Sequence, residues 1–202
     1  MVTRRELLAG LGALAILGWP VGAAAQADDP AVARIQAFYD SLQSAMAGAQ
    51  TDPKQRLAAL SGAVMGTFDI AAITRLSIGP PWSKIPADRQ ASLEEVFGRY
   101  FVATYASQLG KASGSRFEVL PKSEQRTAGR LVHTRVIDPE GKATPVDYVV
   151  NAEGRVVDIY LGGTVSMLAA RRSEFDAALK AGGPDALEAH LRKRADAATG
   201  GT

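Results

Sequence analysis

The apolar period of this chain changes twice. Up to Gly110 the apolar residues recur at steps of three and four, from Arg116 to Leu161 they alternate, and from Val165 they return to helical spacing. Helices, then strands linked by short turns, then helices again is an α+β order. Consecutive strands with no helix between them cannot form the parallel sheet of a βαβ protein; they imply an antiparallel meander.

The first helix should start at Pro30, whose fixed φ suits a first turn, and carry Ile35, Phe38, Tyr39, Leu42 and Met46 inward as far as Gly48. Asp52-Pro53 opens a second, with Leu57, Leu60, Val64 and Phe68 on its apolar stripe. Asp69 is a cap for a short helix through Ile73 and Leu76, stopped by Gly79-Pro80-Pro81. Residues 86–109 form the longest helix, with Leu93, Val96, Phe97, Tyr100, Phe101, Tyr105 and Leu109 on one face and Glu94, Glu95 and Arg99 on the other. Strands are expected at 116–120, 130–137, 143–151 and 155–161, with turns at 138–141 and 152–154. Helices at 165–180 and 184–195 follow, separated by Gly182-Gly183, and 199–202 is a disordered tail. The expected architecture is a twisted antiparallel sheet of about four strands wrapped around the long helix. Closed by helices on its concave side, such a sheet leaves a cone-shaped interior.

Residues 1–27 read as an export signal. Arg4 and Arg5 precede a short apolar run, Leu7 to Val21, and Ala23-Ala24-Ala25 and Ala25-Gln26-Ala27 both offer small-residue cleavage sites. The run is shorter than the roughly 20 apolar residues of a membrane span. Thr3-Arg4-Arg5-Glu6-Leu7-Leu8 is twin-arginine-like, with ordinary secretion as the alternative. No Cys follows, so a lipoprotein anchor is excluded and packing alone must hold the fold. Removing Arg4, Arg5 and Glu6 from 23 basic and 21 acidic residues leaves a net charge of +1. That balance gives no general attraction to nucleic acid. Residues 28–198 are expected to form one domain.

Enzyme signatures are few. There is no Gly-x-Ser-x-Gly, no His-Glu-x-x-His and no phosphate loop. His133 lies in an alternating strand and reads first as a hydrogen-bonded strand residue; His190, near Arg192 and Lys193, reads as solvated. Asp147 is expected to pair across strands with Arg155 or Arg135, and Asp158 to order a strand end through an ion pair. No metal site, cofactor or catalytic residue is assigned. Acid–base chemistry would need His133, Asp147 or Asp158 to converge inward.

Two stretches carry a resemblance. Phe68-Asp69 is followed by Gly79 and Trp82, and Asp158-Ile159-Tyr160-Leu161-Gly162-Gly163 by Ser166, Arg171, Arg172 and Phe175. Their order and spacing resemble the MlaC (toluene-tolerance) family of periplasmic lipid-binding proteins, over nearly all of the chain after about residue 30. The resemblance implies a pocketed, nuclear-transport-factor-like (NTF2-like) fold. It implies a non-enzymatic periplasmic shuttle, carrying phospholipid between a membrane-anchored ABC permease complex and an outer-membrane partner. Gly163-Thr164-Val165-Ser166 has one residue more than the usual Gly-Val-Ser and looks more like the hopanoid-associated HpnM branch, so a hopanoid is the alternative cargo. In that setting Phe97, Phe101, Val102, Tyr105, Leu109, Tyr148, Val150, Ile159, Leu161 and Trp82 are candidates to line a lipid pocket. Arg171 and Arg172 are candidates for the head group, since guanidinium suits bidentate phosphate binding. A scaffolding subunit with a filled core, or a pocket enzyme, fits the same composition.

Overall fold

The computed structural model describes residues 29–48, 53–112 and 114–200. The expected export segment and positions 201–202 of the expected tail lie outside the described residues. In chain order the elements are α1 (Pro30–Gly48), α2 (Pro53–Thr67), α3 (Ile70–Ile78), a 3-10 turn (Pro80–Lys84), α4 (Ala87–Lys111), β1 (Arg116–Arg126), β2 (Gly129–Ile137), β3 (Ala143–Val150), β4 (Val156–Leu161), β5 (Val165–Ser166) and α5 (Met167–Ala198). The sheet is an antiparallel meander in the order β1-β2-β3-β4-β5. It has one strand more than the sequence pattern shows. Val165 and Ser166, expected in a helix, pair instead with Leu161 and Tyr160. A two-residue strand is too short to produce an alternation.

β1 also runs further than expected, past Pro121 to Arg126, with an irregularity between Val119 and Ser123. β1 is an edge strand, where a proline costs no ladder bond on its free side. α5 joins the two expected helices, with its backbone broken at Gly182 and Gly183 just before Pro184.

Capping residues fix the junctions. Asp29 accepts the Ala31 N–H at 3.0 Å, and its other oxygen accepts Ser123 Oγ at 2.6 Å and Arg130 Nη2 at 2.9 Å. One carboxylate therefore starts α1 and ties it to β1 and β2. Burial opposes its charge, yet these donors hold its pKa down to about 2. Asp69 caps α3 as expected, accepting the Ala72 N–H at 2.9 Å, and its own N–H bonds to the Val156 carbonyl. Arg34 and Arg155 donate to carbonyls at the end of α2, at Gly66 and Met65, and Arg155 also to that of Phe68 just beyond it. Gly129 sits at φ 141° with the Val150 carbonyl only 2.1 Å from where a Cβ would be, so no other residue fits this strand start.

The core lies between the helices and one face of the sheet. Phe68, fully buried, sits at its centre, edge-on to Phe38 at 5.2 Å and to Phe101 at 5.0 Å, with Tyr105 at 5.3 Å. Leu131, Val149 and Val157 form a smaller cluster on the opposite face.

His133 lies on that outer face. Its Nδ1 is 3.1 Å from Asp147 Oδ2 on β3 and its Nε2 is 3.1 Å from Glu124 Oε1 on β1. Asp147 thus pairs with the histidine directly opposite it rather than with Arg155 or Arg135. Arg155 is committed to α2, and Arg135 lies 3.7 Å from Glu118. Burial disfavours the imidazolium, but the two carboxylates outweigh it and raise its pKa above the ordinary value.

A raised histidine pKa stabilises the fold fully below about pH 6.5 and loses that contribution as pH rises through the folded-state pKa. The stability gap between the wild type and His133→Gln, measured by urea unfolding, should shrink from pH 6 to pH 9; a gap independent of pH would contradict the clasp. Phe68→Ala should cost about 3–5 kcal/mol by the same measurement, the usual range for a buried phenylalanine; a loss below about 1 kcal/mol would show that the ring cluster does not hold the layers together.

Candidate functional site

α1, α4 and the sheet do not close completely on one another. Between them lies a cavity of about 120 Å³. Phe101, Thr104 and Tyr105 on α4 form one wall. Tyr148 on β3 with Ile159 and Leu161 on β4 form the facing wall. Leu161 is 38 % exposed and Gln108 is exposed, so the wall reaches solvent at the C-terminal ends of β4 and α4. An engineered apolar cavity of ~150 Å³ holds one benzene, whereas typical ligand pockets span ~300–1,000 Å³. At this volume the cavity has room for a small apolar group and not for a whole two-tailed lipid.

The sequence candidates separate into two sets. Phe101, Tyr105, Tyr148, Ile159 and Leu161 line the cavity. Phe97, Val102, Val150 and Trp82 do not. Phe97 shares the helical stripe of Phe101 but is fully buried beneath Phe175, edge-on at 5.8 Å. Val102 is turned off that stripe, and Val150 packs nearer the β3–β4 turn. Trp82 leans half-buried against the core from the 3-10 turn, where its carbonyl accepts Gln90 Nε2 at 3.0 Å. The side chain of Leu109 lies outside the described residues. The candidate list lacks Tyr39, Thr104, Phe117 and Val136. Val136 was within reach, since Val132, Thr134 and Val136 alternate on one face. Phe117 required the β1–β2 register, in which it faces Val136.

The polar groups of the wall are few. Arg171, 8 % exposed, lies with its Cζ 4.5 Å from the centre of the Tyr100 ring. Its Nη1 donates to the Tyr100 hydroxyl and to Glu174 Oε2 at 3.1 Å. Burial lowers its pKa from the usual guanidinium value, with Glu174 opposing. Arg172, the other head-group candidate, turns away. It donates to the Leu76 carbonyl at 2.8 Å, beside Gly79, and caps α3. On the sheet side Tyr39 hydrogen-bonds Thr134 at 2.6 Å, and its ring lies edge-on to that of Tyr148, with centres 5.8 Å apart. Burial raises the phenol pKa values of Tyr39, Tyr105 and Tyr148, so they remain neutral.

His133, Asp147 and Asp158 are not part of the cavity wall. Asp158 makes no ion pair among the described residues. It accepts Ser166 Oγ at 2.7 Å and the Leu168 N–H at 3.0 Å, because it stands where β4 meets the donor-rich start of α5. His190, expected in solvent, has its Nε2 2.7 Å from Glu174 Oε1 across the α5 break. Among the described residues no group of three or more His, Cys, Asp or Glu is placed to hold a metal ion. No helix among them is long and apolar enough to cross a membrane.

Comparison with known proteins agrees with this geometry. No curated protein matches significantly. Among solved structures, a phospholipid-binding protein from Ralstonia solanacearum, determined in complex with a phospholipid, shares the fold with a TM-score of 0.68 at 19 % identity. The match covers 83 % of this chain and 98 % of that one. The profile of the family described as MlaC protein matches residues 33–193, most of the sequence and all the elements that build the cavity apart from the first turn of α1 and the last of α5. The chain belongs to the MlaC family.

Proposed function

We propose that this chain is a periplasmic lipid carrier. It holds an acyl chain between α4 and the concave face of the sheet and moves phospholipid between membrane-anchored partners. The observation that carries the reading is the cavity itself, apolar along Phe101, Tyr105, Tyr148, Ile159 and Leu161 and open at one end. A scaffolding subunit would fill this space. Each methylene taken out of water is worth about 0.8 kcal/mol, so a two-tailed lipid with about 30 methylenes needs roughly 24 kcal/mol of matched burial. An apolar cleft supplies this without a reactive group. The Ralstonia protein with this fold is bound to phospholipid, which supports the same cargo class.

Membership of the MlaC family supports export through residues 1–27 and exchange with an ABC permease complex on one side and an outer-membrane partner on the other. The alternative cargo, a hopanoid, rests on the extra residue in Gly163-Thr164-Val165-Ser166. That residue lengthens the β4–β5 turn beside Leu161 at the cavity rim, where a wider polycyclic body would enter. An enzymatic reading has less support, since the candidate acid–base residues face away from the cavity.

Thr104→Trp tests the proposal. Thr104 is half-buried on the α4 wall, and its hydroxyl donates to its own helix, at the Tyr100 carbonyl. An indole at this position should fill the cavity and reduce transfer of a fluorescent phospholipid between liposomes at least tenfold, with a melting temperature within a few degrees of wild type. Undiminished transfer by a folded Thr104→Trp protein, or no transfer by the wild type, would overturn the carrier reading.

A further inference from the structure

We infer that Phe101 is the floor of the cavity and sets the length of acyl chain that the cavity accepts. The inference rests on the lipid-binding reading of the cavity and adds a selection by chain length, whatever the head group.

Exposure along the lining falls from one end to the other. Leu161 is 38 % exposed and Gln108 is exposed, whereas Phe101 is 6 % exposed and Leu42, Tyr148 and Ile159 are buried. A chain therefore enters beside Leu161 and Gln108, and its tip comes to rest at the buried end. On α4 the lining begins at Phe101 and continues through Thr104, Tyr105 and Gln108 to Ala112. The cavity thus runs along α4. Leu42 on α1 and Tyr148 and Ile159 on the sheet flank it, and Phe101 closes its end. One turn before Phe101, on the same stripe, Phe97 is fully buried and outside the lining. The Phe101 ring is the boundary between open space and solid core.

The core behind that ring is fixed. Phe68 meets Phe101 edge-on at 5.0 Å, and Phe97 lies at 5.7 Å. Both are fully buried, and each is held by a further ring, Phe68 by Phe38 at 5.2 Å and Phe97 by Phe175 at 5.8 Å. A close-packed interior of this kind transmits strain rather than yielding to it. A chain that reaches Phe101 stops there, and its further methylenes remain outside the rim in water. A smaller side chain at this position leaves a void that the fixed rings cannot fill by moving in, and that joins the cavity. An apolar void stays dry and accepts an apolar guest.

Selection by length follows from burial. Each methylene that leaves water tightens binding about fourfold. The gain continues while the chain has room to advance and ends when its tip meets Phe101. Affinity plotted against chain length should rise and then level off at a break whose position belongs to Phe101.

The test is displacement of the uncharged probe diphenylhexatriene from delipidated, detergent-free protein. The competitors are lysophosphatidylcholines of graded length, hexanoyl to octadecanoyl, each below its aggregation limit. The wild type should show the rise and the break. Phe101→Ala should move the break to longer chains, so that a ligand two methylenes past the wild-type break gains about 15-fold over wild type, relative to the shortest ligand. Phe101→Trp should move the break to shorter chains and serves if the alanine variant fails to fold. Phe97→Ala opens space behind the Phe101 ring; it should lower the melting temperature and leave the break in place.

A break that stays put in the Phe101 variants, or that Phe97→Ala moves as far as Phe101→Ala does, would overturn the inference. If neither the probe nor any lysophospholipid binds, the lipid-carrier reading falls with it; if they bind with no break at any length, only the selection by length falls.

Discussion

One set of aromatic rings both holds this fold together and shapes its cavity. Phe68 joins Phe38 of α1, Phe101 and Tyr105 of α4 and Tyr148 of β3, with ring centres 5.0–6.3 Å apart. Edge-on aromatic pairs add about 0.5–1.5 kcal/mol each beyond their burial, so the cluster fixes the distance between helix and sheet. Phe101, Tyr105 and Tyr148 then present their remaining surfaces to the cavity. The cavity is where the ring layer ends before the sheet does.

The ends of the helices are held by charge, and the same device puts a cation in the cavity wall. Asp29 starts α1 and ties it to the sheet, while Arg34 and Arg155 close α2 and Arg172 closes α3. Each of these groups meets a helix terminus or a counter-charge. Arg171 has less: one carboxylate shared three ways and an aromatic face. Neighbouring arginines thus have opposite fates. Arg172 closes α3, and Arg171 stands in the cavity wall against Tyr100 and Glu174.

Much of this was legible in the sequence because period and punctuation are local. The change from helical to alternating spacing at Gly110 located the sheet, and Asp69 was readable as a cap from its place between Phe68 and Gly79. Features that depend on distant pairing were not readable. β5 exists only because Leu161 faces Val165 across a turn. β1 continues beyond Pro121 because its partner strand continues. The structure places only part of the expected wall along the cavity, for the same reason. Phe101 and Tyr105 follow from helical phase, whereas Phe97 lies on the same stripe and is sealed by Phe175, a contact across 78 positions of sequence. Asp147 was assigned to an arginine because nothing local shows that Arg155 is already taken by α2.

The central claim is that the space between α4 and the sheet is a lipid site. Native mass spectrometry of the protein, purified without detergent and followed by analysis of its organic extract, tests it most directly. The expected result is a population carrying one lipid per chain, whose extracted mass identifies the cargo. A single unliganded mass, unchanged after incubation with liposomes, would contradict the claim.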